Sequence, residues 1–263
     1  MVFEVLEYSF SLMKKQPKIL LPQVLIWIGM AAMSAMLYFA LLDAVSLVSG
    51  PENPGFLQIF LFLINRYLGL FIGVVTALTL LSIYVQSIYV DIVRQVFSRK
   101  RIMLNDAFSA GWKGFFRLLW TNIVFMLLVL GIVVAVFALL VIGSAVSPIV
   151  GIIFLFVVIV AGLAGIIYAL PGLFLFSTVV VIEKMSGLKA IRRSFQLSNG
   201  RKLSIWIIFI LLGVFSFAIS FIAYIPVIGT ILTLPIYAIT YTWSFTVPTV
   251  FYFMKEKKVK PEI

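Results

Sequence analysis

Six apolar segments separate four clusters of basic residues in this chain, and all four clusters fall on one side when the segments are threaded back and forth through a bilayer. The clusters lie at Lys14 to Lys18, Arg94 to Arg117, Lys184 to Lys202 and Lys255 to Lys260. Of the twenty lysines and arginines, only Arg66 falls on the other side. Lys and Arg are retained on the cytoplasmic side during insertion, so this asymmetry predicts orientation as well as topology: multi-pass, both termini cytoplasmic, in the cell membrane.

The segments read as spans at 19–42, 67–90, 118–146, 149–182, 203–224 and 230–254. A spanning helix needs about 20 mainly apolar residues. Transmembrane β-strands alternate apolar and polar positions, whereas these segments are apolar all round. The expected fold is therefore an all-α integral membrane protein, a single membrane domain over 1–263. With 63% hydrophobic and 11% charged residues, the chain has more apolar surface than a soluble domain of this length can hide.

Short amphipathic stretches precede the inward-to-outward spans. In residues 2–16, Phe3, Leu6, Phe10 and Met13 form an apolar stripe beside Glu4, Glu7, Ser11 and Lys14, and the acids stand where a cleavable signal peptide would be basic. Residues 105–117 carry Phe108, Trp112, Phe115 and Phe116 beside Lys113 and Arg117. Residues 187–198 place Leu188, Ile191 and Phe195 opposite Lys189, Arg192 and Arg193. All three are expected to be helices lying along the inner membrane surface. Two readings of the layout stay open: three repeats of an interfacial helix plus a helical hairpin, or simple elbows without repeat ancestry. On the outer side, Arg66 is expected near the interface, within reach of Asp43 or Glu52.

No catalytic arrangement appears. The chain has no cysteine and no histidine, which removes disulfides, thiolate chemistry, imidazole acid–base work and most transition-metal sites. No nucleotide loop or serine–base pair is present. None of the nine acids sits in the middle of a span, whereas ion-coupled transporters usually carry an intramembrane ionisable group. The expectation is no enzyme, no cofactor and no metal. The net charge of +11 is spread over membrane-flanking loops, which points to anionic lipid headgroups and away from nucleic acid.

The stretch at 170–202, LPGLFLFSTVVVIEKMSGLKAIRRSFQLSNGRK, resembles the multi-spanning membrane domain attached to some glycerophosphoryl diester phosphodiesterases, and its YciC-like stand-alone relatives. Pro171, Glu183, Gly187, Ala190, Arg193, Ser194 and Phe195 carry the resemblance. It implies a membrane fold and no activity, because that family's catalytic domain is soluble, metal-dependent and built on histidines that this chain lacks.

Two sets of candidate site residues follow. Lys184, Lys189, Arg192, Arg193, Arg201 and Lys202 crowd the second large inner loop and would hold lipid headgroups or an acidic partner. Thr76, Thr79, Gln86, Pro171, Thr240 and Thr246 are candidates for lining a cavity among spans two, four and six, with Pro171, Pro235 and Pro248 marking helix breaks; plain helix packing is the other reading of the hydroxyls. The leading expectation is a non-enzymatic lipid- or partner-binding subunit or regulator, alone, with a protein partner or as a homo-oligomer. The alternative is a small permease or lipid transporter, including the membrane subunit of an ATP-driven exporter.

Overall fold

The computed structural model describes residues 2–48, 56–98, 102–222 and 228–255. Residues 49–55 with Glu52, 99–101, 223–227 and 256–263 lie outside the described residues. Every regular element described is helical. Helix α1 (Val2–Lys15) leads through a 3-10 turn (Pro17–Leu20) into α2 (Leu21–Val48), and α3 is Phe56–Phe97. Helix α4 (Leu104–Val146) and α5 (Pro148–Leu173) form a second antiparallel pair, followed by short α6 (Phe176–Ile182) and α7 (Leu188–Ser198). The chain closes with α8 (Lys202–Ile222) and α9 (Ile228–Lys255).

Among the described residues, five helical stretches are long and apolar enough to cross a bilayer: Pro17–Ala40, Ile64–Phe97, Leu104–Ala145, Ile149–Ile182 and Lys202–Phe221. They coincide with the first five expected spans. The sixth expected span falls on α9, a helix of 28 residues that is not among those five. Helix is the natural outcome here, because lipid offers nothing to bond a free N–H or C=O and a helix satisfies both internally.

Three expectations need correction. Residues 105–117 are not a separate surface helix. They are the first turns of α4, which runs unbroken for 43 residues. The reason is close packing: a side chain at Gly111 would strike Ile88 and one at Gly114 would strike Ser87, so the two glycines let the start of α4 lie against the C-terminal part of α3. Second, the amphipathic helices bury only part of the stripes expected. In α1 the expected Leu6 and Met13 are buried together with Val5, Tyr8, Ser9 and Leu12, while the expected Phe3 and Phe10 are exposed. In α7 the buried residues are Ala190, Ser194, Leu197 and Ser198, while Leu188 is exposed. Each helix has an apolar face for the protein and further apolar residues left outside it. Third, α9 passes through Pro235 and Pro248 without a break; only Pro171 stands at one.

The deep core is gathered at the end of the bundle that carries α1, α6 and α7. It draws on α1, on residues 83–97 of α3, 107–118 of α4, residues 174–182, Ala190 and Leu197 of α7, the start of α8 and 247–253 of α9. Toward the other end the apolar side chains of α4 and α5 are exposed, as on a lipid-facing surface. There, Arg66 pairs with Asp43 at 3.2 Å, and Tyr67 donates to the same carboxylate.

Candidate functional site

The segment that carries the basic cluster at 184–202 is built around a broken helix. Pro171 has no N–H, so the carbonyl of Ile167, one turn earlier, loses its partner. Trp206 of α8 supplies one, its Nε1–H donating to that oxygen at 3.1 Å. Beyond the proline the chain leaves helical geometry between α5 and α6, and Ser194 of α7 donates to the carbonyl of Gly172 at 2.6 Å. The backbone groups released by the break are thus taken up by neighbouring helices.

After α6, residues 183–187 form a turn. Gly187 adopts φ 62°, a region that favours glycine, and its N–H donates to Thr121 Oγ1 of α4 at 2.9 Å. This anchor fixes where α7 begins. Glu183 accepts Arg193 at 3.0 Å and the Tyr252 hydroxyl at 3.0 Å, joining α6, α7 and α9. Of the six expected basic residues, Lys184, Lys189, Arg192 and Arg193 line one cavity of about 580 Å³, together with Met185, Ser186 and Gln196. Arg201 and Lys202 are not in its wall. Lys202 instead places its Nζ 3.1 Å from the centroid of the Tyr168 ring, a cation–π contact. Arg193 is held by Glu183, which leaves Lys184, Lys189 and Arg192 as the cations of that wall most available to a ligand.

A second and larger cavity, about 1110 Å³, lies among α2, α3, α4 and α9, with Phe176 of α6 at its edge. Thr79 and Gln86 line it, as expected, with Ser82 beside them. Thr76, Pro171, Thr240 and Thr246 do not. Thr240 donates to Ile236 O at 2.9 Å and Thr246 to Trp243 O at 3.1 Å, both within their own helix. Pro171 belongs to the α5–α6 break, and Thr76 is exposed. The walls come from spans one, two, three and six, so the expected involvement of span four is limited to Phe176.

Sequence reasoning missed Gln23 and Asn122. The signal was present. Gln23, Gln86 and Asn122 are the amide side chains of the six apolar segments, and all three line this one cavity. Its remaining lining includes Met30, Met33, Phe71, Met126 and Tyr241, and, among the described residues, no charged residue. Asn122 donates to Leu118 O at 2.8 Å. Gln23 is 1% exposed, yet neither Oε1 nor Nε2 has a hydrogen-bond partner among the described residues.

Five helices long and apolar enough to cross a membrane place the chain in the class of multi-pass α-helical membrane proteins. No protein-family model, characterised protein or solved structure matches it.

Proposed function

We propose that the chain is a non-catalytic, six-span protein of the cell membrane, α9 being the sixth span and both termini cytoplasmic, whose inner basic collar binds anionic lipid headgroups. One observation carries this reading: Lys184, Lys189, Arg192 and Arg193 converge on a single cavity beside an anchored turn. Isolated topogenic charges would not need a shared wall. The resemblance of 170–202 to a phosphodiesterase-associated membrane domain supports a lipid setting, and α1 before α2–α3 and α7 before α8–α9 support a repeated helix-plus-hairpin plan.

Each basic residue near an anionic surface contributes about 1 kcal/mol. The triple variant K184Q/K189Q/R192Q, which leaves Arg193 to Glu183, should therefore lose roughly hundredfold in phosphatidylglycerol retention at low salt. Native mass spectrometry of the purified chain reads this directly, and unchanged retention overturns it. Orientation is tested separately. The chain has no cysteine, so Ser144→Cys and Asn199→Cys should label from opposite sides with an impermeant reagent.

The 1110 Å³ cavity favours a second reading, a small permease or lipid transporter. A version working as the membrane subunit of an ATP-driven exporter would need a separate ATPase.

A further inference from the structure

We infer that the cavity among α2, α3, α4 and α9 is a binding site for an uncharged, hydroxyl-bearing membrane lipid of the diacylglycerol type. The site is distinct from the basic collar and does not depend on it.

The argument begins with Gln23. Burying an amide with both its donor and its acceptor unpaired costs free energy that a native chain seldom bears without return. Leu or Met at this position would remove the cost. Instead the three amides of the apolar segments, one each from α2, α3 and α4, line the same space. A single hydroxyl answers both needs of Gln23, because its oxygen accepts from Nε2–H and its proton goes to Oε1.

The rest of the wall defines the rest of the ligand. The cavity is just above the roughly 300–1,000 Å³ usual for small-molecule sites, and most of its surface is apolar. Among the described residues no charged side chain lines it, so a phosphate or carboxylate headgroup would enter without a counter-charge, an expensive burial. A water cluster satisfies amides but gains nothing from Met30, Phe71 and Met126. These three are exposed and belong to the apolar stretches of α2, α3 and α4, so the mouth opens sideways toward acyl chains. Gln23, Gln86 and Asn122 lie about one to two helical turns from Lys18, Arg94 and Arg117. That places the polar end of the ligand near the inner surface and its tail toward the outer side.

The test uses the full chain in membranes with a diacylglycerol carrying a photoactivatable acyl group, and a phosphatidylglycerol with the same group for comparison. The diacylglycerol probe should label peptides containing Met30, Phe71 and Met126 in preference to the anionic probe. Gln23→Leu should cut that labelling about tenfold, the worth of one or two hydrogen bonds, while melting no lower than the parent. Thr79→Trp, at the exposed mouth, should cut it with Gln23 intact, and decides the matter if Gln23→Leu does not fold. Equal labelling of parent and both variants, or equal labelling by the two probes, overturns the proposal and assigns the space to water or bulk lipid. K184Q/K189Q/R192Q should keep diacylglycerol labelling, so failure of the collar reading and failure of this one are separately visible.

Discussion

Ser194 donates a 2.6 Å hydrogen bond to the carbonyl of Gly172, and the next residue, Phe195, lays its ring where any side chain on Gly172 would have to go. One helix thus both satisfies and fills the break in another. Gly172→Ala should destabilise the fold by about 1–3 kcal/mol through overpacking. The same change made in a Phe195→Ala background should cost much less. Thermal unfolding of the two single variants and the double variant measures the coupling, and additive losses would show that the ring yields freely.

Trp206 is a second support for the same break. Trp206→Phe keeps an aromatic ring but removes the only donor given to Ile167 O by α8. The expected loss is about 1 kcal/mol, in line with interhelical hydrogen bonds in membranes. Replacing Pro171 by Ala restores the backbone N–H, so Trp206→Phe should cost less in that background.

Arg192 and Arg193 are adjacent but have different work. Arg193 is held by Glu183, whose side chain is only 15% exposed, whereas Arg192 is exposed. Arg193→Gln should lower the unfolding temperature, since hydrogen bonds to charged groups contribute about 1.5–3 kcal/mol. Arg192→Gln should leave it unchanged and reduce anionic-lipid retention. Similar unfolding temperatures for the two variants would place Arg193 in the collar alone.

Tyr8 makes the docking of α1 sensitive to alkali. It is buried against Phe97, with ring centroids 5.4 Å apart, and burial pushes its phenol from 10.0 up to about 12. The docked state favours the neutral phenol, so this contribution is complete below pH 10.0 and is lost as pH rises through about 12. A cysteine at the buried Leu12 should become accessible to a thiol reagent over that window. Tyr8→Phe should abolish the phenol-dependent part.

The fold was readable where composition alone decides it. Long uncharged apolar runs can only be helices in lipid, and the opposite charges narrowed the partner of Arg66 to Asp43 or Glu52, of which the structure pairs it with Asp43. Faces were readable only in part. Of the expected stripe of α1, Leu6 and Met13 are buried but Phe3 and Phe10 are not; burial followed the partners on α8 and α9 and took in Val5, Tyr8 and Leu12 as well. The unbroken α4 was hidden too, since Trp112 and Phe116 mimic a surface helix; Gly111 and Gly114 were the better guide. In the larger cavity, threonines drew attention by number, yet Thr240 and Thr246 bond their own helix. The rarer amides were the informative residues, because an amide cannot satisfy itself so easily within a helix.

At 1.5 Å per residue, α3 and α4, with 42 and 43 residues, are each about 63 Å long, twice the ~30 Å hydrocarbon layer. On the six-span reading proposed above, much of the excess stands beyond the bilayer on the side of the basic residues, and the deep core at residues 83–97 and 107–118 stands with it. Two solvents then hold one chain together. Water drives the inner half closed by the hydrophobic effect, as in any soluble domain, while lipid gives the outer half no such push. Urea should therefore loosen the inner half and leave the outer helices embedded, so that this protein comes apart from the inside first.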